Sequence, residues 1–298
     1  ASAASYNNLT DKDEIVNKDA VSMLVSLGII EGKPDGSYGP TENVDRAQMA
    51  KMLSVIMNKG VDNSALYQSV NSGLVDVNTN WAKGHINYCY TTGIIAGRGN
   101  GKFDPSATVT ALEAAKMLLV AVGYDPAIEG FEGADWAINV SVRADEQGIF
   151  EGFTKDLSAP LNRDDAALLI YNALDVEMIQ SYTTNNYPIV YSDHRTILSD
   201  KYGVIKVEGV VTANEWAILD DDTDTALQEG KTRIYNPDGI LSTTGNTAVA
   251  QDSSANVKTQ VFNVSTPVDM LGKAVTMYVK KTTILADSTV YGAPVVSD

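Results

Sequence analysis

Residues 93–118 read GIIAGRGNGKFDPSATVTALEAAKML, and residues 28–53 read GIIEGKPDGSYGPTENVDRAQMAKML. The two stretches align without a gap at a spacing of 65 residues. Gly28/Gly93, Ile29/Ile94, Ile30/Ile95, Gly32/Gly97, Gly36/Gly101, Pro40/Pro105, Val44/Val109 and the run Ala50–Leu53/Ala115–Leu118 are identical, and Tyr38/Phe103 keep an aromatic ring. A more divergent third copy, GIFEGFTKDLSAPLNRDDAALL, spans 148–169. A single repeated unit of this size cannot bury its own apolar face, so the copies are expected to pack on one another and to place function between them.

Each copy has the same plan. A helical segment (13–27, 80–92 and 134–147) ends at Gly28, Gly93 or Gly148, where a left-handed residue can stop a helix. A loop that cannot be helical follows, Lys-Pro-Asp-Gly in the first copy and Arg-Gly-Asn-Gly in the second. A second helix is predicted over 44–58, 109–122 and 162–174, the last capped by Asn162. Trp81 and Trp136 each stand 12 residues before the helix-ending glycine of their copy; the first copy has Val16 there.

Beyond about residue 180 the pattern turns to short β-rich runs (187–191, 202–212, 231–235, 257–264, 274–280) separated by turns such as Asn236-Pro-Asp-Gly239. Ile205, Val207 and Val211 share one parity of the longest run, giving it one apolar face. Residues 242–256, rich in Ser, Thr, Ala and Asn, read as a loop. The expectation is an α+β multidomain chain: 1–178 all-α in three repeats (about 9–60, 74–123 and 128–178), 179–201 a linker with room for a short helix, and 202–298 a small antiparallel β barrel or sandwich.

Composition narrows the function. The 298 residues carry a net charge of −16. Residues 1–178 hold 13 Lys+Arg against 24 Asp+Glu, so most of the excess lies there. An acidic surface without a basic run argues against nucleic acid as a partner, and an anionic partner must be held by a few local cations. No apolar run approaches a membrane span. The opening Ala1-Ser2-Ala3-Ala4 suits the start of a mature secreted protein. With one cysteine, Cys89, and two histidines, His85 and His194, an internal disulfide and a Cys/His zinc site are excluded. Neither histidine has an identifiable nucleophile, no carboxylate pair stands out, and the reading is non-enzymatic. Gly97-x-Gly-x-Gly101 follows a helix and has the wrong spacing for a nucleotide fingerprint. Asp220, Asp222 and Asp224 open like a calcium loop, but Thr225 and Lys231 replace the required Gly and Glu, so a solvated turn is favoured over weak Ca2+ binding. No cofactor is expected.

Asp76-Val77, Trp81-Ala82, Gly93-Ile-Ile-Ala-Gly97 and Gly101-Lys-Phe-Asp-Pro105, with a Thr-Arg-Ala-Glu-like element after them, resemble the S-layer homology (SLH) repeat. The resemblance covers roughly residues 9–178. It implies a pseudo-threefold helical domain that anchors an S-layer or other surface protein to the wall without a covalent bond. It also implies a secondary wall polysaccharide, commonly with a pyruvylated sugar, held in grooves between repeats, and self-association in a surface array. A sister reading keeps the fold but uses eroded grooves for protein–protein contacts.

On the family pattern the anion contact falls on Arg46 and Arg163, while Ala111 takes that place in the second copy. Trp81, Trp136 and Asp76 are implied in support, with Asp11 as a possible counterpart of Asp76. Gly28 and Gly93 join the candidate set because bare backbone admits a ligand closely. A guanidinium fork meets a planar carboxylate bidentately, and sugar C–H faces pack on indole. Against these roles stand plainer ones: the arginines paired with Asp45, Asp164 or Asp165, the tryptophans packed in the core, and Asp76 capping a loop.

Overall fold

The computed structural model describes residues 5–219, 225–240, 257–280, 286 and 288–297. The chain divides into two compact units, Ala1–Val190 and Tyr191–Asp298.

The first unit contains α1 (Lys18–Ser26), α2 (Arg46–Met57), α3 (Lys83–Thr91), α4 (Ala111–Val122), a single turn α5 (Pro126–Glu129), α6 (Trp136–Glu146) and α7 (Arg163–Leu174). The long helices α2, α4 and α7 start where a side chain caps the free N–H groups of the first turn. Asp45 and Gln48 form a reciprocal capping box, Thr110 and Glu113 form another, and Asn162 accepts from the Asp165 N–H. The shorter helices α1, α3 and α6 run into Gly28, Gly93 and Gly148, all with φ between 73° and 80°, a region that only glycine adopts freely.

The segments before α2, α4 and α7 close a ring. Val44 N–H donates to the Leu161 carbonyl (2.9 Å), Leu161 N–H to Val109 (2.8 Å), and Val109 N–H back to Val44 (3.0 Å). Val44, Val109 and Leu161 are buried at its centre, and the helices stack around it, α1 on α7, α2 on α3 and α4 on α6. Three residues far apart in sequence thus satisfy one another's backbone groups in the interior, where an unpaired group is costly.

Helix α1 starts five residues later than the apolar pattern predicts. Lys12–Glu14 form a separate 3-10 turn, and the backbone N–H groups of Val16 and Asn17 donate to the carboxylate of Asp164 (2.8 and 3.0 Å), so these two groups are held by α7 just before α1 begins.

The first unit is not wholly helical. Strands β1 (Ile179–Tyr182) and β2 (Pro188–Val190) form an antiparallel hairpin that belongs to it. A Cβ on Gly123 (φ 118°) would lie 2.6 Å from the Ile179 carbonyl oxygen, so the C-terminus of α4 meets the hairpin backbone directly. The Tyr182 hydroxyl donates to Glu129 (3.0 Å) and accepts from the Asp125 N–H (2.9 Å), while Arg143 grips the same Glu129 carboxylate (3.0 Å). The chain as a whole is α+β.

The second unit is one five-stranded antiparallel sheet in the order β5-β4-β3-β6-β7, with β3 (Val204–Ala213), β4 (Thr232–Tyr235), β5 (Thr259–Phe262), β6 (Ala274–Lys280) and β7 (Val290–Val296). β3 and β6 pair from Val204↔Lys280 to Val210↔Ala274. Ile205, Val207 and Val211 point to the core with Ile234, Phe262, Val275, Met277 and Val279, as the parity of the β3 run predicts. The barrel or sandwich expectation is corrected: among the described residues the sheet is open, because β5 and β7 form its two edges and do not pair with each other. The loop expected at 242–256 and the Asp220, Asp222 and Asp224 carboxylates lie outside the described residues.

Candidate functional site

Arg46 opens α2 and is 3% exposed. A cation at a helix N-terminus is mildly unfavourable, so something else must hold it there. Its Nε donates to the Phe103 carbonyl (2.8 Å) and its Nη2 to the Ala96 carbonyl (2.6 Å), while the guanidinium lies 4.5 Å from the centre of the Phe103 ring. These partners are neutral groups on the loop of the following copy. Burial, with repulsion from Arg98, brings its pKa down to about 10, still charged at neutral pH.

Arg163 repeats the arrangement from α7 onto the first copy. Its Nε donates to the Tyr38 carbonyl (2.7 Å), and the head lies 4.8 Å from the Tyr38 ring centre. The Tyr38 hydroxyl donates back to the Arg163 carbonyl (2.6 Å). Neither arginine forms an ion pair among the described residues, so pairing with Asp45, Asp164 or Asp165 is not what holds them; Asp165 pairs instead with Lys155.

The loops that receive these arginines are braced by carboxylates. Asp76 accepts the N–H groups of Phe103 and Asp104, both at 2.8 Å, and Asp11 accepts those of Tyr38 (2.8 Å) and Gly39 (2.9 Å). Burial raises the Asp76 carboxyl, but the two N–H donors outweigh it and hold it below the ordinary carboxylate value. Loop bracing is therefore an observed task of Asp76. The third copy has Phe131 at that position, fully buried.

An open cleft of about 380 Å³ lies beside Arg46, lined by Ala96, Arg98, Glu113, Lys116 and, from the third copy, Phe131 and Trp136. Arg98 Nη2 pairs with Glu113 (3.0 Å), and the other oxygen of Glu113 serves the capping box of α4. In a strongly acidic molecule the cleft gathers three cations against Glu113 and Glu132. Cations, a half-buried indole and backbone carbonyls suit the binding of a polar, acidic ligand of sugar size.

The other sequence candidates stand apart from this cleft. Gly28 lines a second cleft of about 470 Å³ with Leu9, Gly32, Lys33 and Gly60. Trp81 is 59% exposed, which rules out core packing, and Gly93 has open space where a Cβ would be. Arg98 and Lys116, which the motif does not single out, complete the cleft with Glu113, the last residue of the Thr-Arg-Ala-Glu-like element. For Lys116 the sequence trace is its identity with Lys51. Cys89 is buried, donates to the Ala50 carbonyl (3.4 Å), and burial pushes its thiol pKa up, away from reactivity. Among the described residues no helix is long and apolar enough to cross a membrane.

Residues 8–50 and 75–115 match the family model of the S-layer homology domain. The chain is similar to a cell surface protein of Thermoanaerobacter kivui, 29% identical over 80% of this chain and 29% of that protein. It is also similar to an S-layer protein of Bacillus licheniformis (33% identical over 38% of this chain and 12% of that protein) and to the exoglucanase XynX of Acetivibrio thermocellus (30% over 58% and 16%). The chain thus spans less than a third of the length of each of these relatives, which include both surface-layer proteins and an enzyme. By these matches the chain carries S-layer homology domains and is similar to proteins of the bacterial cell surface.

Proposed function

We propose that the three copies form one pseudo-threefold anchoring domain, and that an acidic wall polysaccharide docks in the cleft beside Arg46. The observation that carries this reading is a cleft holding three cations and an indole in a chain of net charge −16. The long-range field repels an anion, but screening confines that repulsion to about 8–10 Å at physiological salt, so the cleft can prevail at short range. A pyruvate ketal on a sugar fits both needs, a carboxylate for the cations and a C–H face for Trp136.

The closed hydrogen-bond ring through Val44, Val109 and Leu161 supports the threefold reading. By repeat equivalence Arg163 and Trp81 are the counterparts of Arg46 and Trp136, and we assign them a second docking position. Asp76, Gly28 and Gly93 shape the loops around these positions. The sheet of residues 191–298 is assigned to array assembly, since both its edges are open to strand addition among the described residues. No catalytic step is assigned to these 298 residues.

The test is sedimentation of the full chain with purified wall sacculi, before and after chemical removal of the polymer. The chain is expected to co-sediment with intact sacculi alone. Equal binding to stripped sacculi would favour the protein–protein reading, for which the lost cation at Ala111 is the supporting observation.

A further inference from the structure

We propose that the hairpin β1–β2 is a strap: with Tyr124, Glu129 and Arg143 it clamps the third copy onto the second, at the junction that lacks an arginine at its helix start, and so sets Trp136 in the wall of the cleft. The clamp stands on geometry alone; its effect on ligand binding rests on the anchoring reading and deepens it.

The three junctions between copies are not alike. Arg46 lies on Phe103 and Arg163 on Tyr38 across two of them. At the start of α4 that arginine is Ala111, and the position matching Phe103 in the facing loop is Ser158. Here a cation and a ring meet at the other end of α4 instead. Tyr124 is buried just past Gly123, and the Arg143 guanidinium of α6 lies 5.1 Å from its ring centre. In the preceding junction the repeat alignment puts Lys59 in the place of Tyr124 and Tyr88 in the place of Arg143, and Tyr88 packs on Tyr67 (ring centres 5.0 Å apart).

The same arginine grips Glu129, the last residue of α5, through Nε and Nη2 (3.2 and 3.0 Å). The Glu129 side chain is 8% exposed, so water competes little for this forked contact. The Tyr182 hydroxyl closes the set, donating to Glu129 Oε1 (3.0 Å) and accepting the Asp125 N–H (2.9 Å). One turn of β1 earlier, the Ile179 backbone presses on α4 so closely that Gly123 has no room for a Cβ. The hairpin thus touches the second copy at Gly123 and the third at Glu129.

The link to the cleft runs along α6. Trp136 and Arg143 stand about two turns apart on this helix. Between them Asn139 donates to the Gly130 carbonyl (2.9 Å), next to the buried Phe131. Phe131 and Trp136 are the third copy's share of the cleft wall. A helix held at Arg143 therefore holds its own first residue, Trp136, at the cleft. Arg143, Glu129 and Tyr182 are positioning residues.

The experiment compares the full parent chain with Tyr182→Phe, which keeps the ring and removes the hydroxyl, by amide hydrogen exchange and by the indole N–H signals of Trp81 and Trp136. Tyr187→Phe, at the exposed turn of the same hairpin, is the control and is expected to match the parent. Tyr182→Phe is expected to speed exchange roughly fivefold in α6 as well as in β1 and β2, the loss of one hydrogen bond, and to shift the Trp136 signal while Trp81 stays. Faster exchange confined to the hairpin, with Trp136 in place, would overturn the clamp. If Tyr182→Phe does not fold, Arg143→Lys, which keeps the charge but loses the fork, is read in the same way. With solubilised wall polymer, Tyr182→Phe is expected to bind roughly fivefold more weakly than the parent. Equal binding would overturn the role in setting the cleft wall. A parent chain that binds no polymer would take down the anchoring reading, while exchange in α6 and the Trp136 signal would still decide the clamp.

Discussion

The start of α2 and the start of α4 hold equivalent places in the repeat but are joined to their neighbours by different chemistry. At α2, Arg46 reaches into the next loop and lies on Phe103, and the Ala47 N–H donates to the Pro105 carbonyl (2.9 Å). At α4 the arginine is Ala111, fully buried, and the residue matching Phe103 in the facing loop is Ser158. There the Leu112 N–H takes the Leu157 carbonyl (3.0 Å) instead. The α7 junction, with Arg163 on Tyr38, follows the first pattern. Cation and ring are present together twice and absent together once. The arginine is thus one half of a device whose other half lies in a neighbouring copy, and its first task is to join copies.

If so, breaking the device should cost stability in proportion to its burial. Arg46→Ala removes two charge-assisted bonds and a ring contact, and is expected to cost about 3 kcal/mol, lowering the melting temperature of the first unit by roughly 6–12 °C in calorimetry of the full chain. Asp76→Ala should follow at about 2 kcal/mol, because it frees the N–H groups of Phe103 and Asp104 and loosens the loop that receives Arg46. Since the Asp76 carboxyl sits below its ordinary value when folded, its contribution is present at neutral pH and lost as pH falls below about 4, so the variant's stability should depend less on acid than the parent's. Arg163→Ala, with one such bond and a more exposed head, is expected to cost about 1 kcal/mol; a loss equal to that of Arg46→Ala would show that the junctions do not differ as described.

The smallest effect concerns the junction of α2 with α3. Burial holds the His85 pKa below its ordinary value, against the pull of Asp62 at 3.5 Å, and its buried Nδ1 lacks a partner among the described residues. A histidine kept neutral in the fold takes up its proton more readily when unfolded. Stability is then full above about pH 6.5 and declines below it, by a few tenths of a kcal/mol over the first half unit. A His85 imidazole resonance titrating above 6.5 would contradict this.

Much of the first unit was legible because its signals are local. Glycines at helix ends and polar caps depend on residues a few places apart, and they located α2, α4 and α7 within two residues at each end. What escaped was set by distant groups. The late start of α1 depends on Asp164, 148 residues from Val16. The hairpin partner β1 looked like a connection because its pairing and its anchor at Glu129 lie outside its own four residues. Strand β7, which is not among the expected runs, carries Gly292 and Pro294, residues disfavoured inside strands, yet it pairs as an edge, where proline is tolerated. The candidate site divided in the same way. Motif matching found Arg46 and Trp136, but that Arg46 is engaged by carbonyls 50 and 57 residues away, and that Lys116 is not engaged, is visible only in the fold.

The chain's three tryptophans allow the most direct test of the central claim, that an acidic wall glycan docks in the cleft between the copies. Indole N–H signals of Trp81, Trp136 and Trp216 would be followed by heteronuclear NMR while purified, solubilised wall polymer is added to the full chain. The Trp136 signal is expected to shift and saturate, with Trp216 in the second unit unmoved. A Trp136 signal that stays in place while polymer binds, or shifts confined to Trp216, would contradict it.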